Sequence, residues 1–365
     1  MVLVARQPIL LSHQGLAASL SSHSNEWTSS LVPVPKHRRS YTPNPTFKGL
    51  FAGSGNGAMS QPFFAQSVID LTKRSASDVN LLYIGTASYD LPKYKEIQTS
   101  AFAEMGCTIT SIEVAHVSPL LIDLEAAVSQ AHVILVSGGN TLYALNRWRN
   151  LGLDLLLKDA AENGVVMTGG SAGCICWFDG GHSDSMDPDT YKEPMLKLHG
   201  AKESSPYDEG TSTSTTHNPQ DPQSNPWSYI RVEGLGILPG LVCPHFDRIQ
   251  SNGVPRLVDF DSMMKRHSME LGLGIDHFAA LEINGEDFRV LSLPGEKGSV
   301  PQEDDSVPGA WIKYVDEDGD LQSMPCPSFG KVEDLLQVMV DPSKHIWPDE
   351  RVQLCRVENP GPSMD

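Results

Sequence analysis

Residues 165–178 read VVMTGGSAGCICWF. An apolar strand runs into Gly169, Gly170, Ser171, Ala172 and Gly173, and an apolar segment follows. Gly-x-Ser-x-Gly between a strand and a helix is the context of a nucleophile elbow. The reason is steric. The chain reverses so sharply at the nucleophile that its neighbours must be tiny, and the nucleophile itself sits in a strained backbone region. The Ser171 hydroxyl would then stand at the C-terminal edge of a sheet, with the Ala172 N–H aimed at a developing oxyanion. The helix start adds a favourable dipole. The same residues also suit a plain glycine-rich turn with Ser171 as an N-cap, so the motif alone leaves both readings open.

The pattern around the elbow sets the fold class. KGLFAGSGN (48–56) reads as a strand entering a glycine-rich loop, and 61–74 has helical spacing at Phe64, Val68 and Leu71. Strands follow at 79–88, 107–115 and 132–140, with helices at 93–106, 123–131, 141–150 and 153–164 between them. Apolar strands alternating with helices predict an α/β fold, a mostly parallel sheet covered by helices on both faces. After a further helix near 255–270, FRVLSLPG and GAWIKYVDEDGDLQSM read as added C-terminal antiparallel strands, the second folding at Glu317-Asp318-Gly319. Three segments are expected: a flexible extension at 1–46, a catalytic α/β domain at 47–290, and strands and tail at 291–365 packed on it. Residues 198–228, rich in Ser, Thr, Pro, Asp and Asn, read as a polar surface insertion.

A serine nucleophile needs a base. Of the 12 histidines, His245 in LVCPHFDR follows an apolar run at an expected strand end, where open α/β sheets place their sites. His182 lies in a polar stretch, and His277 in GIDHFAA is a reserve. The carboxylate that should orient the base is open between Asp184 and Asp276, while Asp247 suits a salt bridge to Arg248. Gly138-Gly139-Asn140 directly follows a strand, and its backbone N–H groups suit a second oxyanion donor. That loop fits neither dinucleotide nor P-loop patterns.

Composition narrows the function. The 365 residues carry a formal charge of −18, which repels phosphate backbones and argues against nucleic acid as a partner. No apolar run is long enough to span a membrane. Six cysteines without a CxxC pair read as buried thiols of a reducing compartment rather than a zinc site. No metal or cofactor is called for. Residues 1–45 contain one acid, Glu26, with serines and scattered basic residues. A cytoplasmic extension or an organelle-targeting segment both fit that composition.

In chain order, SGGNT (137–141), GGSAG (169–173), SDS (183–185), CPHFD (243–247) and LGID (273–276) resemble the S51 serine peptidases. That family includes the aspartyl dipeptidase peptidase E and cyanophycinase. The resemblance spans roughly residues 48–285 and implies a class I glutamine amidotransferase-like fold, a flavodoxin-like three-layer arrangement. It implies Ser171 as nucleophile, His245 as general base, and Gly139 and Ala172 as oxyanion-hole positions. Asp184 matches the acid just downstream of the nucleophile helix. Some members carry a glutamate on a later strand. Here that segment reads Asp276-His277, with His277 nearest the glutamate, so Asp276 stays as the alternative acid. Asn140 and Arg256 are the expected substrate-binding residues, Arg256 by likeness to an arginine that holds an N-terminal aspartate. The implied activity is serine-type hydrolysis of short peptides, Asp-X dipeptides among them, by the chain alone or as a homodimer. The alternatives are a non-catalytic binding or regulatory protein on this fold, and an esterase. The esterase lacks support because no HGGG-type motif precedes the elbow.

Overall fold

The computed structural model describes residues 36–191, 227–293, 296 and 309–340. Residues 1–35 of the N-terminal extension, the insertion up to residue 226, Cys355 and the tail beyond 340 lie outside the described residues.

The strands in chain order are β1 (Arg38–Ser40), β2 (Lys48–Ala52), β3 (Asn80–Ile84), β4 (Thr108–Ile112), β5 (Val133–Val136) and β6 (Val166–Gly170). Then come β7 (Phe178–Ser183), β8 (Ile230–Glu233), β9 (Leu238–Cys243), β10 (Gly272–Ile275) and β11 (Ala279–Asn284). The last are β12 (Asp287–Ser292), β13 (Ala310–Val315), β14 (Leu321–Pro325), β15 (Phe329–Lys331) and β16 (Gln337–Met339). The helices the site depends on are α1 (Asn56–Met59), α2 (Pro62–Thr72), α3 (Pro92–Glu104), α4 (Leu121–Ser129), α5 (Thr141–Leu151), α6 (Leu153–Glu162), α7 (Ala172–Ile175) and α8 (Arg256–Arg266).

The larger sheet has eight strands in the order β15-β12-β11-β2-β6-β5-β3-β4. Its β2, β6, β5, β3 and β4 are mutually parallel, and β11, β12 and β15 extend it antiparallel. Side chains in the parallel strands alternate between two cores. Phe51, Leu82, Ile84, Ile134 and Val136 join one cluster. Leu50, Ala52, Leu81, Tyr83, Val133 and Leu135 join the other, under α2 and α3. Both faces of β2, β3, β5 and β6 are therefore buried, which is why these strands read as mostly apolar runs, whereas the edge strand β4 is largely exposed. Local signals end the helices as expected. Pro92 opens α3, Asn140 caps α5 by accepting from the Tyr143 N–H at 3.0 Å, and Gly152 closes α5 at φ 73°.

The α/β architecture is the expected one, but it is split. The strands after the elbow do not continue the first sheet. They build a second, six-stranded sheet in the order β14-β13-β10-β9-β7-β8. The four residues of α7 are too few to return the chain to a parallel neighbour of β6, since such a crossover takes a dozen or more residues. The chain instead runs into β7, and β9 and β10 line up parallel beside it. Phe51, from the first sheet, and Phe178, Leu238, Val242 and Leu273, from the second, share one cluster between the sheets. The expected C-terminal hairpin is present as β13 and β14, which turn through Asp316–Asp320. The N-terminal extension is not uniformly loose. β1 pairs with β16, and Arg38 is buried.

Candidate active site

The parallel strands end at one edge of the larger sheet, and the loops after β2, β3, β5 and β6 meet there with those after β9 and β10. Ser54 to Gly57, Ala87 to Tyr89, Gly138, Gly139, Ser171, His245 and His277 line a cavity of about 440 Å³. Leu91, Tyr94, Gln98, Asp189 and Thr190 complete its walls. The C-terminal edge of an open α/β sheet is the expected place for such a pocket.

Ser171 leaves β6 at φ 58°, ψ −119°, a conformation that residues with a Cβ adopt only under strain. Its glycine neighbours are dictated by close approach. A Cβ on Gly170 would lie 1.9 Å from the Ser54 carbonyl oxygen, and one on Gly173 would lie 2.1 Å from that of Val136. Ser171 serves as no side-chain cap for α7, so the plain N-cap reading of the turn fails. Two successive carbonyls at the end of β2 hold the centre together. The Ser171 N–H donates to Ala52 O at 3.2 Å, and the His245 N–H donates to Gly53 O at 3.0 Å. His245 itself has φ 52°.

The glycine loop after β5 lies against Ser171. A Cβ on Gly138 would be 3.4 Å from Ser171 Cβ. The Asn140 N–H donates to Ala87 O at 2.7 Å, which pins the loop. Among the described residues no acceptor engages the Gly139 N–H. Ala172 opens α7, so its N–H has no intrahelical acceptor. Both amides are therefore available to an oxyanion beside Ser171.

His245 meets His277, not a carboxylate. Their Nδ1 atoms are 2.8 Å apart. The sheet explains the meeting. β9 and β10 are parallel neighbours with Cys243 opposite Gly274. His245 lies two residues beyond the end of β9 and His277 two beyond the end of β10, so the paired strands deliver both rings to one place. Burial, reinforced by Arg256, His277 and Arg248, holds His245 well below the usual histidine range. Burial, then Arg248, pushes His277 down to about 4.

Three expected site residues are placed differently. Asp184 accepts from Arg256 Nη1 at 3.3 Å, and among the described residues no hydrogen bond joins it to His245. Arg256 is fully buried at the start of α8. It also donates through Nη2 to His182 O at 2.6 Å and lies 4.9 Å from the centre of the Tyr229 ring. It does not line the cavity. Asn140 is likewise buried. Besides capping α5, its Nδ2 donates to Ser185 O at 3.0 Å and Thr190 Oγ1 at 3.1 Å. Asn140 supports the wall through Thr190 instead of facing a ligand. Asp276 is buried beside His277, and Asp247 Oδ1 accepts from the His277 N–H at 2.7 Å. The cavity's Tyr89, Tyr94, Gln98 and Asp189 carry no local motif. Of the cavity walls not assigned to the site from the sequence, the loop after β2 alone carries a visible mark, its glycines. Cys107, Cys174, Cys176, Cys243 and Cys326 are buried free thiols. Among the described residues, no cluster of three or more His, Cys, Asp or Glu could hold a metal ion, and no helix is long and apolar enough to cross a membrane.

The buried imidazoles make stability fall in acid. Burial lowers His182 to about 4. Between the ordinary histidine value near 6.5 and about 4, the unfolded chain binds a proton that the folded chain refuses, so stability is lost as pH drops through that window. Asp179, held up to about 6 by burial, acts oppositely, but its side chain reaches solvent and its weight is smaller. The unfolding free energy from urea titrations should therefore fall from pH 7 to pH 5, with His182 alone contributing on the order of 2 kcal/mol. A midpoint that is flat or rises on acidification would contradict this.

The family model of Peptidase family S51 matches residues 50–201, which carry β2 to β7, the elbow and both glycine loops. The chain belongs to peptidase family S51. It is 34% identical over 157 residues to "Uncharacterized peptidase YgaJ" of Bacillus subtilis (strain 168), covering 42% of this chain and 66% of that one. It is 30% identical over 317 residues to "G2/mitotic-specific cyclin-1" of Trypanosoma brucei brucei, covering 80% of this chain and 88% of that one. A solved peptidase from an acI-B1 Actinobacterium is similar at TM-score 0.49 and 16% identity, over 81% of this chain and 98% of that one. Membership in S51 places the chain in a family named for peptidases, which are hydrolases by reaction class.

Proposed function

We propose that this S51 chain is a serine-type peptidase that cleaves short peptides through an acyl-enzyme on Ser171. The observation that carries the reading is Ser171 itself. It is strained, stands at a strand end, shares a cavity with His245 and lies against the Gly138-Gly139 loop. Ser171 Oγ attacks the peptide carbonyl while His245 takes its proton. The Gly139 and Ala172 amides receive the oxyanion. His245 then protonates the leaving amine, and water repeats the sequence on the ester. A cavity of about 440 Å³ suits a ligand of a few residues and supports a short substrate. The preference for an N-terminal aspartate rests on the family alone, because the arginine expected to read it is buried elsewhere.

The test is a dipeptide panel, Asp-X included, run with wild type and Ser171→Ala beside a fluorophosphonate probe. The expected result is probe attached at Ser171, turnover of at least one panel member, and neither in the variant. Equal hydrolysis by both proteins would end the mechanism. The second reading is a binding or regulatory protein, and the trypanosome relative, named for a cyclin, motivates it. An intact Ser171 that no probe labels would favour that reading.

A further inference from the structure

We propose that His277 takes the place of the orienting carboxylate, accepting the Nδ1 proton of His245 on its own Nδ1. The proposal rests on the reading of Ser171 as nucleophile and His245 as base. Two ring nitrogens 2.8 Å apart must share one proton. Two protons would collide, and two lone pairs would repel. His245 can take the Ser171 proton only on Nε2, so its Nδ1 must already carry hydrogen. His277 then presents a bare Nδ1 and carries its own hydrogen on Nε2. Among the described residues the hydrogen-bond partner of His245 Nδ1 is His277 Nδ1. Asp184 is engaged by Arg256, and Asp247 holds the His277 backbone N–H. The charged and titratable groups around the pair are Arg248 and Arg256, which disfavour a proton on the rings, and Asp247 and Asp276 on the flanking loops.

The step balances without another reactant. Ser171 Oγ bonds to the carbonyl carbon, the carbonyl π pair moves to oxygen, and the Oγ proton passes to His245 Nε2. The Nδ1 proton stays between the two rings and spreads the new positive charge onto His277. The Nε2 proton leaves with the amine. A neutral acceptor supports the imidazolium less than a carboxylate would, and it leaves His245 unprotonated, hence competent, in weak acid.

Two measurements test this. Nitrogen-15 spectra of histidine-labelled wild type are expected to show His245 protonated on Nδ1 and His277 protonated on Nε2. The opposite assignment would overturn the proposal, whatever the enzyme's activity. The second is the pH profile of fluorophosphonate labelling at Ser171. Wild type should label with an acid limb below the ordinary histidine value near 6.5. His277→Phe should label roughly a thousandfold more slowly with unchanged probe affinity, and His277→Glu should regain much of the rate with its acid limb moved upward. A His277→Phe variant that labels at the wild-type rate, or a His277→Glu profile with an unmoved limb, would also overturn it. If wild type fails to label while the spectra are as expected, the nucleophile reading fails instead.

Discussion

Ser171→Gly is expected to unfold at a higher temperature than the wild-type chain and to hydrolyse no peptide. Ser171 is held at φ 58°, ψ −119°, the backbone of the first central residue of a type II′ turn. A residue with a Cβ pays roughly 1–3 kcal/mol there. Glycine adopts it freely but gives back part of the gain, about 0.5–1 kcal/mol, through the extra freedom of the unfolded chain. The net gain is on the order of 1 kcal/mol, a rise of roughly 2 °C for a chain of this size. Ser171→Ala separates the two effects. It keeps the Cβ and therefore the strain, so its melting temperature should match wild type while its turnover falls by roughly 10⁴-fold or more. Calorimetry on all three proteins beside the dipeptide assay reads both quantities. A glycine variant that melts below wild type would mean that the elbow stores no strain. An alanine variant that keeps full turnover would mean that the hydroxyl is not the nucleophile.

The elbow was legible because close packing leaves a mark in composition. Gly170 and Gly173 are glycines since the Ser54 and Val136 carbonyls leave no room for a Cβ. The alternating parallel half was legible because both of its faces are buried. The second sheet was not, since it depends on the shortness of α7, and a run of apolar residues after a turn does not reveal whether it forms a helix. The meeting of His245 and His277 depends on the register of β9 against β10. No local pattern encodes a pairing between strands separated by α8. β1 escaped notice for the same reason, as its partner β16 lies near the other end of the chain. Asp184 read as the triad acid because of its place in the order of motifs. Its side chain is instead committed to Arg256, 72 residues further on.

Arg256→Met is expected to lower stability by about 3–5 kcal/mol, the usual cost of breaking a buried pair from one side. An arginine at a helix start reads as a surface residue, and by family likeness as a ligand for a substrate carboxylate. Its surroundings specify another task. The guanidinium joins Asp184 and the His182 carbonyl, from the end of β7, to α8 across the face of Tyr229. Methionine fills the volume but leaves a carboxylate and a carbonyl without their donor, and a buried acceptor left unmade is costly. Asp184→Asn should cost less, because the amide oxygen still accepts from Arg256. Combining Arg256→Met with Asp184→Leu should recover part of the loss, since an apolar pair leaves no orphaned charge. Urea unfolding of the four proteins measures this directly, and the dipeptide panel separates it from recognition. A substrate-reading arginine would raise KM for Asp-X peptides and leave the unfolding midpoint alone. An arginine that fastens α8 to β7 should move the midpoint and leave the relative KM values of Asp-X and other peptides unchanged.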